Sequence, residues 1–147
     1  ELAVTCLPPS FAEEAPTKPA LRILLIDDSA LTLAAQTQVL SEDGFDVRAA
    51  GSPDEFEALL DGWRPHLVLM DVMMPELSGE ELCRRVKARY KATVPVVLVS
   101  DLPTEELAAR ASAAGADGYV SKAEPRSAFL EYVRNVCAIA YSPEDLP

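Results

Sequence analysis

Residues 66–79 read HLVLMDVMMPELSG. The run from Leu67 to Met70 is apolar at every position, the pattern of a strand covered on both faces rather than one with a wet side. It ends in a carboxylate, Asp71, and then in Met-Met-Pro and a turn. An acid at the mouth of so apolar a strand must face water, a cation or a reaction partner, because an ionised carboxylate buried alone is strongly disfavoured. What converges on Asp71 therefore decides the reading of the chain.

Four further short apolar runs alternate with helical patterns: LRILLI (21–26), FDVRAA (45–50), VPVVLVS (94–100) and DGYVS (117–121). With 66–71 they make five strands, each followed by a helix. Helix starts are signalled locally. Ser52-Pro53-Asp54-Glu55 offers a capping serine, a proline at the first helical position and a capping-box glutamate; Ser78 with Glu81 repeats the box, and Pro103 and Pro125 open two more helices. Gly44 and Gly115 stand where helices should stop, since glycine takes the left-handed C-cap without a side-chain clash. Strand and helix alternating five times predict an α/β fold: a parallel sheet with helices on both faces.

With 147 residues, 49% of them hydrophobic, the chain has material for one core of ordinary size. Its formal charge of −11 disfavours a nucleic acid or an anionic lipid surface as partner. The most basic stretch, CRRVKARYK (83–91), spreads its charges around an amphipathic helix and reads as a solvated face. Cys6, Cys83 and Cys137 are odd in number and lack metal-site spacing, so neither a disulfide framework nor zinc is expected, and a reducing cytoplasm fits. No run approaches the roughly 20 apolar residues of a membrane span. Residues 1–20 carry four of the twelve prolines and read as a leader or linker; 21–140 form the globular unit, and 141–147 a short tail. The missing initiator Met suggests a processed or excised chain.

Ligands of open parallel sheets bind outside the carboxyl ends of the strands. Asp27 and Asp28 end the first strand, Asp71 the third, Ser100 the fourth, and Ser121 and Lys122 the fifth. Two carboxylates about 4 Å apart repel by about 4 kcal/mol at an effective dielectric near 20, so a cluster of three raises pKa values or recruits a cation. An all-oxygen site of this kind suits Mg²⁺.

The ordered set resembles the receiver domain of two-component response regulators, of the chemotaxis-regulator kind, over about residues 21–140. It rests on Asp27-Asp28, Asp71 with Pro75 and Gly79 after it, Ser100 after VPVVLV, and GADGYVSK ending in Lys122. The resemblance implies a flavodoxin-like doubly wound (βα)5 sandwich with strand order 2-1-3-4-5. It implies Asp71 as phosphoacceptor, with Asp27, Asp28, Asp71 and the Met73 backbone carbonyl holding Mg²⁺. Ser100 becomes the switch hydroxyl, Lys122 the partner of the phosphoryl group, and Tyr119 the aromatic that turns inward with the switch. The phosphate would come from a sensor histidine kinase or a His-containing phosphotransfer protein. Output would pass to a protein target or a homodimer through the face made by the fourth helix, fifth strand and fifth helix.

Three positions depart from the family pattern. Asp101 follows Ser100 where a small residue is usual, and its charge would repel an incoming anion. Ala123 follows Lys122 where proline and a cis bond are common, which alters the expected approach of the lysine. Met73 and Leu102, two residues after the acceptor and the switch position, cannot orient an attacking water, so self-dephosphorylation is expected to be slow. Asp101 and Ala123 favour a competing reading, a pseudo-receiver that binds partners without phosphorylation. A phosphohydrolase is disfavoured, because no general acid follows Asp71 closely, so the domain is not read as an enzyme. A glycine-rich nucleotide loop is also absent. Only a few residues follow the fifth helix, so output is expected through protein contact or through domains outside this chain.

Some residues are assigned to the scaffold. His66 is expected on the solvent side, and Trp63, Met73 and Met74 in packing or turns. Leu31 and Leu33 cannot share one narrow stripe with Val39 and Leu40, so one of the two is expected at the surface beside Asp28.

Overall fold

The computed structural model describes residues 20–90 and 94–141. Apart from Ala20 and Tyr141, the leader and the tail lie outside the described residues. Five strands alternate with five helices: β1 Arg22–Ile26, α1 Ala30–Glu42, β2 Asp46–Ala50, α2 Pro53–Trp63, β3 Leu67–Asp71, α3 Gly79–Tyr90, β4 Val96–Ser100, α4 Thr104–Ala114, β5 Gly118–Ser121 and α5 Arg126–Ala140. The strands form one parallel sheet in the order β2-β1-β3-β4-β5, as the resemblance implied.

Alternation along the central strands sorts side chains to two cores. Ile23, Leu25, Leu69, Val97 and Val99 face α1 and α5, where they meet Leu40, Phe129, Val133 and Cys137. Leu24, Ile26, Val68, Met70 and Leu98 face α2, α3 and α4, where they meet Phe56, Leu60, Leu82, Val86 and Leu107. Every residue of β3 and β4 is buried, which explains why their sequences show no polar face.

The caps follow the expected chemistry with differences in detail. Ser52 Oγ accepts from Glu55 N–H at 3.3 Å, while the Glu55 carboxylate accepts from Gly51 N–H at 2.9 Å, one residue earlier than in a strict capping box. Ser78 Oγ accepts from Glu81 N–H at 3.2 Å, but the Glu81 carboxylate turns outward to Arg84. Pro103 and Pro125 occupy the cap positions just ahead of α4 and α5. Gly44 and Gly115 both have positive φ at helix ends. Arg64, unforeseen, ends α2 at φ 60°, and its carbonyl is held by the Arg22 guanidinium at 2.8 and 3.1 Å.

Arg84, Arg85 and Arg89 of α3 are exposed, in keeping with a solvated face, whereas Lys87 departs from it: its side chain is largely buried, pairs with Asp117 and donates to the Val94 carbonyl at 2.9 Å. Arg85 pairs with Glu57 at 3.3 Å and Arg89 with Asp61 at 2.6 Å, joining α3 to α2. Of the two leucines in question, Leu31 is 81% exposed and Leu33 packs against the α1/α5 core. His66 corrects its expectation. It is half-buried, its Nδ1 accepts from Arg22 N–H at 2.9 Å, and its ring meets that of Tyr141 edge-on at 5.4 Å. The Tyr141 hydroxyl also donates to the His66 carbonyl, so a histidine at a strand start is used to seal the amino edge of the sheet.

Candidate functional site

The first strand connection leaves the sheet on the α1 side and the third leaves on the α3 side, so a crevice opens between the carboxyl ends of β1 and β3. Register fills it. Ile26 pairs with Met70, which places Asp27 beside Asp71; Asp71 pairs with Val99, next to Ser100; and Ser100 pairs with Ser121, next to Lys122. Five residues from four separate stretches are thus brought to one edge by the pairing alone.

Asp71 is only 4% exposed and Asp27 only 3%, whereas Asp28 is exposed. Lys122 Nζ lies 2.8 Å from Asp27 Oδ2 and 3.2 Å from Asp71 Oδ1, bridging the two buried acids. Burial pushes the Asp71 carboxyl above its ordinary value of 3.8, the Asp27 charge adds to this, and Lys122 opposes it. For Lys122, burial pulls the ammonium down. The hydrogen bond to Asp27 and the charges of Asp71 and Asp27 outweigh it and leave the ammonium above its ordinary value. Lys122 makes this reach with a trans peptide bond to Ala123.

Local bonds fix the rest of the wall. Asp27 Oδ1 accepts from Ser29 N–H at 2.9 Å, and Ser29 Oγ caps α1 by accepting from Thr32 N–H at 3.2 Å. The carboxylate is thereby oriented by the turn that starts the helix. Ser100, 1% exposed, accepts from Leu102 N–H at 3.1 Å, so its hydroxyl is tied to the β4–α4 turn. Gly79 closes the opening stretch back on itself. Its N–H donates to the Val72 carbonyl at 3.0 Å, and a Cβ on it would overlap the Asp71 carbonyl oxygen. The glycine eight residues after Asp71 is thus required by close approach of two backbone segments.

Asp28, Asp71, Met73, Ser100, Asp101, Leu102, Pro103 and Lys122 line an open cleft of about 350 Å³. Asp101 is exposed on its rim. Met73 is 57% exposed over the cleft and Met74 packs on the core. Tyr119 stands apart from these residues, half-buried between α4 and α5 with Thr104, Leu107 and Tyr132. Among the described residues, Asp27, Asp28 and Asp71 are grouped with one carboxylate oxygen each within 4.8 Å of one another. Three hard oxygen donors with one ammonium among them fit a divalent cation such as Mg²⁺, which keeps part of its own water. Ser29 and the packing role of Gly79 were missed in the sequence reading; Ser29 before a helical pattern was a legible cap signal.

The fold and the acidic crevice at the switch point define a flavodoxin-like α/β protein with a strand-end carboxylate site. Residues 23–134 match the response regulator receiver domain, and the chain belongs to that family. It is 36% identical over 112 residues to a gliding motility regulatory protein of Myxococcus xanthus, covering 76% of this chain and 14% of that protein. It is 34% identical over 116 residues to the transcriptional regulatory protein CseB of Streptomyces coelicolor, covering 78% of this chain and 48% of that protein. A solved CheY-like response regulator receiver domain protein from Methanospirillum hungatei superimposes with a TM-score of 0.75 at 25% identity, covering 82% of this chain and 96% of that one. The chain therefore spans about half the length of CseB and a much smaller part of the gliding motility protein.

Proposed function

We propose that this receiver domain accepts a phosphoryl group on Asp71 from the phospho-histidine of a sensor kinase or a His-containing phosphotransfer protein, and that the modification switches a protein-binding surface. The observation that carries this reading is Asp71 itself, a 4% exposed carboxylate in contact with Lys122 and grouped with Asp27 and Asp28 at the mouth of a cleft. In the transfer, an Asp71 carboxylate oxygen forms a bond to phosphorus as the bond to the imidazole nitrogen breaks, and the donor histidine retakes its neutral form. In this reading Lys122 neutralises a phosphoryl oxygen, exchanging its contact with Asp71 for one with the new group, and the Ser100 hydroxyl supplies a hydrogen bond. Asp27, Asp28, Asp71 and the Met73 carbonyl are the proposed holders of Mg²⁺, which when bound supplies charge neutralisation for the phosphoryl oxygens.

The acyl phosphate adds roughly two negative charges and new acceptor oxygens beside Ser100 and Lys122. The turns that carry those two residues lead into α4 and α5, so the face made by α4, β5 and α5, with Tyr119 in it, is the proposed output surface. The domain acts as a regulatory acceptor, not a turnover enzyme. Residues 21–140 are the proposed receiver unit, flanked by linkers, working in a reducing cytoplasm. Among the described residues no helix is long and apolar enough to cross a membrane.

A second reading, a receiver fold that binds partners without phosphorylation, is favoured by Asp101, which adds a carboxylate to the rim of the anion's entry. Exposure to acetyl phosphate with Mg²⁺, followed by intact mass, separates the two. A single phosphate-mass adduct that disappears in Asp71→Asn supports the acceptor; a folded chain without adduct selects the second reading. Because the side chains of Met73 and Leu102 cannot hydrogen-bond an attacking water well, the adduct is expected to persist well beyond seconds after donor removal, and its loss within seconds would contradict slow self-dephosphorylation while leaving the acceptor reading in place.

A further inference from the structure

β5 lies at the edge of the sheet, paired with β4 on one side only. Alternate N–H groups along such a strand point away from the sheet and need a partner from elsewhere. The Tyr119 N–H finds one in the hydroxyl of Tyr132, to which it donates at 2.9 Å from across the β5–α5 connection. The approach depends on glycine at 118, since a Cβ there would overlap the Tyr132 hydroxyl oxygen and crowd its ring carbon. Tyr132 is half-buried, and burial pushes its phenol above the ordinary value, so the hydroxyl is intact at neutral pH. Tyr119 stands three residues before Lys122, which directly follows the last residue of β5, and the two tyrosines together line the cleft of about 250 Å³ between α4 and α5.

We propose that Tyr132 is a positioning residue that fastens the free edge of β5 to α5, so that a displacement of Lys122 at the phosphoacceptor site is transmitted through the Tyr119–Tyr132 bond to α5. The inference rests on the reading of Asp71 as phosphoacceptor. A short run of extended backbone is stiff, so a pull at Lys122 reaches Tyr119 with little loss. An edge strand held only by β4 on its inner side could shift without carrying α5 with it. With the clasp in place the strand moves against α5 only by breaking the hydrogen bond, and the helix follows instead. Gly118 is part of the device, because it alone lets the hydroxyl reach the backbone.

The test compares amide chemical shifts of the full chain before and after Mg²⁺ with beryllofluoride, an acyl-phosphate mimic, in the native protein, Tyr132→Phe, Gly118→Ala and the double variant. In the native protein both Ser100 and α5 amides such as Ala128 and Val136 are expected to respond. In Tyr132→Phe, which keeps the ring and removes one oxygen, Ser100 responds as before while the α5 response falls by about two- to tenfold, the span that one net hydrogen bond supports. Gly118→Ala, which displaces the hydroxyl with Tyr132 retained, gives the same uncoupling, and the double variant loses no more than either single one. An undiminished α5 response in Tyr132→Phe, or an equal loss at Ser100 and α5, overturns the coupling role. Silence at Ser100 in the native protein overturns the phosphoacceptor reading instead.

Discussion

Asp71 carries a cost that its neighbours only partly offset. Its folded pKa lies above the ordinary 3.8, chiefly through burial, so the folded state holds its proton more tightly than the unfolded chain does. The stability linked to this group is therefore fully present below the ordinary value and is lost as pH rises through the folded value. Asp71→Asn removes that loss. Its melting temperature is expected to match that of the native protein near pH 3 and to exceed it by a few degrees at neutral pH, and thermal melts across that range would show a flat difference if the carboxylate were not strained. Added Mg²⁺ should raise the native protein's melting temperature more than that of Asp71→Asn, since one of three grouped carboxylates is gone. Cys83 and Cys137, the two cysteines among the described residues, are both buried. Burial pushes Cys83 and Cys137 up to about 11, so neither is expected to react with a thiol reagent near pH 8 until the protein unfolds; mapping the labelled peptides decides it.

At the scale of elements, the β3–α3 connection shows how a turn can be as constrained as a core. Gly79 sits against the backbone of Asp71, where overlap cannot be relieved by a side-chain rotation. Gly79→Ala is expected to destabilise the domain by about 1–3 kcal/mol and to weaken the Mg²⁺ response together with stability, measured by denaturant titration with and without the ion. An alanine variant of native stability would mean that the loop has room the geometry denies. The α2–α3 ion pairs lie at the other end of the range. Arg85 and Glu57 are exposed enough that Arg85→Ala should cost no more than about 1 kcal/mol, less in high salt. These elements were legible for a physical reason: buried strands read as unbroken apolar runs, and caps such as Ser52 and Gly115 act within a few residues. His66 was misread because its partners, Arg22 and Tyr141, lie 44 and 75 residues away.

Across the whole molecule, the sequence by itself determined the alternation of five strands and five helices, the apolar cores on both faces and the row of polar residues at the strand ends. Each of these follows from local periodicity, capping chemistry and the cost of burying charge. Family likeness in the ordered motif then supplied the strand order. Only the tertiary structure decided that Lys122 bridges Asp27 and Asp71, that Gly79 leaves room for the Asp71 carbonyl, that Arg22 and Tyr141 hold His66, and that Tyr132 closes the edge of β5. Those contacts join elements whose pairing depends on register and helix placement. A hydrogen bond about 3 Å long leaves no trace in the pattern of either partner.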